Sequence, residues 1–145
     1  MKIVNLDGYT TNPGDLSWDW LGNYGEYKVY DRTAPEQIVE RAKDADILII
    51  NKSVITAQML ENLPNLKFVG LQSTGYNVID CKAARARNIT VSNIPAYSTT
   101  GVAQLVFAFI LQVADNVSLH SDAVHNGEWC ECPDFCFWKT PLTEL

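Results

Sequence analysis

Short apolar runs alternate along this chain with stretches whose apolar residues recur at helical spacing. Ile3-Val4-Asn5-Leu6 opens the pattern and runs into Asp7-Gly8 and then Asn12-Pro13-Gly14, residues that turn a chain, so a first strand and its exit loop are predicted. Between Asp15 and Tyr24, Leu16, Trp20 and Leu21 fall at helical spacing, and Tyr27 to Tyr30 reads as a second short strand. Pro35 at an N-terminal helical position, with Ile38, Val39 and Ala42 on one face, predicts a helix that closes before Asp46. Ile47-Leu48-Ile49-Ile50 then reads as a strand buried on both faces.

Thr56 is placed to cap a helix through Met59, Leu60 and Leu63 that Pro64 helps to end, and Leu66 to Leu71 supplies a fourth strand. Asp80 is placed to cap Cys81 to Arg87, and Ile89-Thr90-Val91 makes a fifth strand. Pro95 breaks that strand before one long helix, which starts near Thr99 or Thr100 and stops at Asn126-Gly127. This alternation predicts an α/β fold: a flavodoxin-like, doubly wound, five-stranded parallel sheet of strand order 2-1-3-4-5, plus a long helix. The expected organisation is a sheet domain over residues 1–98, the long helix over 99–127 and an aromatic, cysteine-containing tail over 128–145.

The 145 residues have room for one ordinary domain, and 47% hydrophobic with 19% charged residues is the balance of a folded globular chain. A formal charge of -6 leaves little cationic surface for screening phosphates, which argues against a general nucleic-acid or anionic-membrane binder; any bound anion must be held locally. The amino terminus lacks the apolar core of a signal peptide, so a cytoplasmic protein is expected. Cys81, Cys130, Cys132 and Cys136 are too few and too clustered for a disulfide scaffold. The longest apolar run, Val102 to Ala114, is interrupted by Gln104 and Gln112 and is shorter than the roughly 20 residues of a spanning helix.

In an open parallel sheet, ligands gather outside the carboxyl ends of the strands. The exits there read Asp7-Gly8-Tyr9, Asn51-Lys52-Ser53, Ser73-Thr74-Gly75-Tyr76-Asn77 and Pro95-Ala96-Tyr97-Ser98. In the third, Gly75 is expected to permit a turn that exposes consecutive amide N–H groups, a nest for a carboxylate or phosphate, with Lys52 adding one positive charge. The plainer alternative is that Gly75 only turns the chain and Lys52 is solvated.

These segments resemble the NAD-dependent D-isomer-specific 2-hydroxyacid dehydrogenases, nearest to their hydroxypyruvate reductase (glycerate dehydrogenase) branch, over nearly the whole chain. Asn51-Lys52-Ser53 is similar to that family's loop of a basic residue and Ser, and Ser73 to Asp80 to its Thr-Gly loop. Asn93 to Gln104 is similar to its hinge and interdomain helix, with Gln104 on the hydroxypyruvate reductase side. The resemblance implies that Lys52, Ser53, Ser73, Thr74, Gly75 and Tyr76 bind a small 2-hydroxy or 2-oxo carboxylate. It also implies that Thr74 and Val102 approach the nicotinamide of NAD(H) or NADP(H), and that the long helix packs between domains and across a homodimer.

No G-x-G-x-x-G occurs here, and the family's Arg, Glu and His match no position of this sequence, so the resemblance assigns no catalytic residue to this chain. It implies instead that Phe135 to Leu145 lead up to an absent nucleotide-binding domain, as a truncated reading frame would, and that these residues are inactive by themselves. His120 and His125, late in the long helix, read as structural. Zinc on Cys130, Cys132, Cys136 and His125 is disfavoured by the spacing, so no metal is expected. The rival reading is a non-enzymatic flavodoxin-like binding or dimerisation module, for which Asp7 to Pro13 is a partial phosphate-loop fit and the long apolar helix a dimerisation surface.

Overall fold

The computed structural model describes residues 1–134. Five strands, β1 (Lys2–Asn5), β2 (Glu26–Val29), β3 (Ile47–Ile50), β4 (Phe68–Leu71) and β5 (Thr90–Ser92), pair in parallel in the order β2-β1-β3-β4-β5. This is the predicted flavodoxin-like order. Between them run α1 (Ile38–Ala42), α2 (Ala57–Glu61) and α3 (Cys81–Ala86). The expected caps form: Thr56 Oγ1 accepts from Met59 N at 3.3 Å and Asp80 Oδ1 from Ala83 N at 2.9 Å. The chain divides into two compact units, Met1–Tyr97 and Ser98–Leu145.

Strand alternation places Val4 and Leu6, Leu48 and Ile50, and Val69 and Leu71 on one side of the sheet, where they join Ile38 and Ala42 of α1, Leu60 of α2 and Ala84 of α3 in one buried cluster. Each such Leu or Ile contributes roughly 1.5–3 kcal/mol relative to exposure, so this cluster is the main source of stability in the first unit. The intervening positions of β3, Ile47 and Ile49, are only half-buried, so the strand is not buried on both faces as its composition predicts.

The helix expected over Asp15 to Tyr24 does not form; the segment holds only a 3-10 turn at Asp19–Asn23, and a second such turn, Gly8–Thr10, precedes it. The Asn12 side chain pre-empts it: Nδ2 donates to Leu16 O at 2.7 Å, while Oδ1 accepts from Gly14 N and Leu16 N, both at 3.1 Å. Both backbone groups of Leu16 are thus engaged outside any helical ladder, and Gly14, at φ +115°, is in the left-handed region. On the face that carries Ile47 and Ile49, Ile3 and Asn5 of β1 are buried, so the second face is closed over β1 and only partly closed over β3.

In the second unit the single long helix predicted from Thr99 breaks into α4 (Thr99–Asp115) and α5 (Val117–His125), followed by α6 (Glu128–Glu131). Asn116 adopts the left-handed conformation at φ 51°, which Asn tolerates better than most residues, and Gln112 Nε2 donates to Ser118 Oγ across the break at 2.8 Å. The two helices meet at 61°, and among the described residues no single helix is long and apolar enough to cross a membrane. No residue of α4 is buried; Phe107, Phe109 and Val113 are 65%, 62% and 74% exposed. His125 Nδ1 donates to Ser121 O at 2.8 Å, a local helix-end contact. The zinc alternative rests partly on Cys136, and the expected lead into a further domain rests on Phe135 to Leu145; these residues lie outside those described.

Candidate functional site

Because β3 and β4 are parallel neighbours, Asn51-Lys52-Ser53 and Ser73 to Asn77 leave the same edge of the sheet. The two exits then run side by side: Ile55 N donates to Val78 O at 2.8 Å and Asp80 N to Ile55 O at 3.1 Å. Lys52 and Gly75 are therefore on one edge, the geometry on which a shared site depends.

The β4 exit is clamped from within and from β5. Ser73 Oγ donates to Gly75 O at 2.8 Å, Thr74 Oγ1 to Ile94 O at 3.1 Å, Asn93 Nδ2 to Thr74 O at 2.7 Å, and Ile94 N to Ser73 O at 3.0 Å. Among the described residues nothing accepts from the amide N–H groups of Thr74, Gly75 and Tyr76, and all three residues are exposed. Consecutive unpaired donors held in a fixed loop can bind a carboxylate without reordering it. Gly75 is not in the left-handed region, and the hydroxyl and amide clamps hold this turn. A Cβ at position 75 would meet only Asn77 Oδ1, at 3.3 Å, the end of an exposed side chain. Ser73 and Thr74 place their hydroxyl protons on backbone carbonyls, so their side chains build the loop.

The β3 exit is organised by a residue whose role the sequence pattern did not reveal. Asp7, buried just past β1, accepts from Asn51 N on Oδ1 at 2.8 Å and from Lys52 N and Ser53 N on Oδ2 at 2.7 and 2.6 Å. Hydrogen bonds to an ionised carboxylate are worth roughly 1.5–3 kcal/mol each, so this side chain fixes the loop firmly. Asn5 Oδ1 accepts from Asp7 N at 3.1 Å, Asn51 Nδ2 donates to Thr10 Oγ1 at 2.9 Å, and Thr10 Oγ1 donates to Asp7 O at 2.7 Å. Thr11 Oγ1 reaches Gln72 Oε1 at 3.1 Å, tying the β1 exit to the residue after β4. The available signal was an acidic residue closing an apolar strand at the ligand edge of the sheet.

Backbone amides thus meet the Asp7 charge, and Lys52 is left exposed with no carboxylate at ion-pair distance among the described residues. Ser53 is 8% exposed and its hydroxyl has no hydrogen-bond partner among them. A cavity of about 260 Å³ opens here between the β1, β2 and β3 exits, lined by Asp7, Thr10, Arg32, Lys52, Ser53 and Val54 among others. A larger one, about 590 Å³, lies on the α3–β5 side around Cys81, Arg85 and Asn88 and meets the exit loops only through Tyr76 and Asn93. The smaller cavity collects the strand-exit residues and lies where the strand order reverses, between β1 and β3, the usual ligand position in such sheets. Val102, in the first turn of α4, belongs to the second unit and is 59% exposed.

Comparison with known proteins bears on what such an edge does. The family described as D-isomer specific 2-hydroxyacid dehydrogenase, catalytic domain, matches residues 10–137. The chain is 47% identical over 148 residues to a hydroxypyruvate reductase of Blautia hydrogenotrophica, covering 100% of this chain and 46% of that protein. It is 36% identical over 121 residues to a glycerate dehydrogenase of Methylorubrum extorquens, covering 83% and 38%. Among solved structures it is similar to an acyclic imino acid reductase in complex with NADPH and D-Arg, with a TM-score of 0.72, 30% identity, and 88% and 41% of the two chains covered. The chain spans about half or less of the length of the relatives it matches.

Proposed function

The chain belongs to the D-isomer specific 2-hydroxyacid dehydrogenases, and from that premise we propose that it is the substrate-binding part of an NAD(H)- or NADP(H)-dependent oxidoreductase. The pair interconverted is a D-2-hydroxy acid and a 2-oxo acid of the glycerate and hydroxypyruvate type, after the relatives it resembles. The observation that carries this reading is the run of unpaired amides at Thr74, Gly75 and Tyr76, on the same sheet edge as Lys52. Those amides hold the substrate carboxylate, Lys52 supplies charge and Ser53 a hydroxyl, and Ser73 keeps the loop in shape. The assignment of Thr74 and Val102 to the nicotinamide side rests on the family resemblance.

The residues present offer no glycine-rich cradle for a dinucleotide's pyrophosphate. The sequence has no G-x-G-x-x-G, and Gly8 at the first strand exit is there to admit a neighbour, since a Cβ on it would fall 2.6 Å from Val29 Cγ1. The same contact weakens the flavodoxin alternative, whose phosphate loop would occupy that exit. Hydride transfer and proton donation are therefore assigned to groups outside these 145 residues, and the chain by itself binds carboxylate with an affinity on the order of millimolar or weaker. A second copy covers the apolar surface of α4, where Val102, Leu105, Val106, Phe109 and Val113 are all exposed.

Two measurements test this. NADH oxidation with hydroxypyruvate, glyoxylate or pyruvate stays at background with the 145-residue chain and appears when it is extended through a glycine-rich nucleotide-binding domain. Turnover by the chain as given, lost on Thr74→Pro, would overturn the division of labour. Sedimentation shows a dimer that Phe109→Asp converts to monomer; a well-folded wild-type monomer at high concentration would refute the α4 interface.

A further inference from the structure

We infer that the open edge of β5 is a docking site for an extended acidic peptide segment of a partner protein, which pairs with the strand backbone and sets a carboxylate against Arg85. The site goes beyond the carboxylate loop proposed above and stands independently of it.

Strand β5 closes the sheet, with nothing paired beyond it among the described residues. In a parallel ladder, alternate residues turn their N–H groups toward the neighbouring strand. Thr90 N donates to Lys67 O at 2.9 Å and Ile94 N to Ser73 O at 3.0 Å, so Val91 and Asn93, which alternate with them, aim theirs outward, away from β4. The cavity of about 590 Å³ runs along this edge. Ile89 and Val91 pack toward the core and Thr90 toward the other side of the sheet, yet all three line the one cavity, so it wraps the edge of the strand and not either face. From Ile89 to Asn93 its floor is about 13 Å long at the rise of a strand, and the outward N–H and C=O groups of that stretch are what an added strand pairs with.

The other edge of the sheet is defended and this one is not. β2 carries Glu26 and Lys28, both exposed, charges that oppose strand addition; β5 offers Thr90, Val91 and Ser92, none of them charged.

Charge selects the occupant. Lys82, Arg85 and Arg87, on α3 and its C-terminal end, are exposed, and among the described residues none has a carboxylate at ion-pair distance. Asp80 spends its carboxylate on Ala83 N as the helix cap. Three unneutralised cations together, in a chain of net charge -6, complement an acidic segment. Cys81 and Arg85 lie one turn apart on the same side of α3 and both line the cavity, which puts the guanidinium in the wall beside the strand. An extended acidic peptide uses both features at once, where a small anion would use Arg85 and leave the backbone edge open.

The test is an amide-resolved NMR titration of the ¹⁵N-labelled 145-residue chain with an end-blocked seven-residue peptide that alternates threonine with glutamate. The expected result is saturable shifts of the Val91 and Asn93 amides, at least tenfold weaker binding in Arg85→Gln with an unchanged circular dichroism spectrum, and partial recovery in Arg85→Lys. The same peptide with lysine in place of glutamate is expected to bind at least tenfold more weakly. Backbone N-methylation of the peptide reads the pairing without altering the protein: methyl groups on one alternate set of amides should weaken binding at least tenfold, and on the other set leave it unchanged. Equal binding of the two methylated peptides, or the same Val91 and Asn93 shifts with free glutamate or inorganic phosphate, would overturn the proposal in favour of a small-anion site. Those shifts appearing on raising the chain's own concentration without peptide would overturn it in favour of a second copy. Binding unchanged in Arg85→Gln, equal binding of the lysine peptide, or no saturable shift at Val91 and Asn93 would overturn it outright.

Discussion

The two edges of the sheet each carry an aspartate that holds neighbouring strands together, and they do it with opposite chemistry. At the amino edge, Asp46 precedes β3 and accepts from Lys67 Nζ and Lys2 N, both at 2.8 Å, so a lysine side chain neutralises it. At the carboxyl edge, Asp7 accepts from three consecutive backbone amides of the β3 exit, and no lysine or arginine is drawn in. The consequence is a difference in what is left over. The amino edge consumes its cation; the carboxyl edge leaves Lys52 and Arg32 without an ion-pair partner among the described residues, and beside the β3 exit the β4 exit keeps its Thr74, Gly75 and Tyr76 N–H groups unpaired. Under the proposed function, that is the edge where a chain of net charge -6 would meet an anion, because its carboxylate is satisfied by backbone amides.

The largest expected effect comes from breaking the amide clamp. Asp7→Ala leaves three N–H groups of the β3 exit without their acceptor in a buried setting, and should cost about 3 kcal/mol in urea unfolding. It should also loosen Lys52 and Ser53, so that any anion binding at that exit falls with it. Thr74→Pro, by contrast, lies on an exposed loop and should cost less stability than Asp7→Ala while weakening carboxylate binding tenfold or more, because it removes both an N–H and the Oγ1 clamp to Ile94 O that shapes the loop. If both variants lost stability alike, the carboxyl edge would be structural throughout and the contrast with the amino edge would fail.

A smaller effect is expected at Ala96, beyond β5 on the carboxyl side, which has φ 58°. A left-handed alanine is strained, so Ala96→Gly should stabilise by about 0.5–1 kcal/mol in the same assay. The smallest is at the amino edge itself. The Lys67 ammonium first, and then the Lys2 amide, hold the Asp46 carboxyl below the usual carboxylate range. A depressed folded-state pKa contributes stability that is present above the unfolded value near ~3.9 and is lost as pH falls through the lower folded one. Asp46→Asn should therefore flatten a slight acid-side decline in thermal midpoint below about pH 4, and an unchanged profile would remove Asp46 from the account.

Much of this was legible in the residue pattern, for identifiable reasons. Strands β1 to β5 stand out because apolar runs bounded by turn residues are local signals, and the Thr56 and Asp80 caps act within three residues. The common edge of Lys52 and Gly75 follows from parallel order. What escaped the pattern depends on distant partners or on single torsions. Asp7 reaches amides 44 to 46 positions away, which no local spacing signals. The absent helix after residue 15 is decided by one side chain, Asn12, and the break in the long helix by one torsion at Asn116. The exposed amides after β4 follow from the turn expected at Gly75, while the clamps from Asn93 and to Ile94 that hold it come from positions about 20 residues away and leave no local signal.

The central claim, that the amides of Thr74, Gly75 and Tyr76 hold a hydroxy-acid carboxylate, is tested most directly by titrating the ¹⁵N-labelled chain with D-glycerate and following those three resonances. The account predicts downfield, saturable shifts of all three with a dissociation constant on the order of millimolar, absent with glycerol, which lacks the carboxylate. Shifts elsewhere with these three unmoved, or identical responses to glycerate and glycerol, would contradict it.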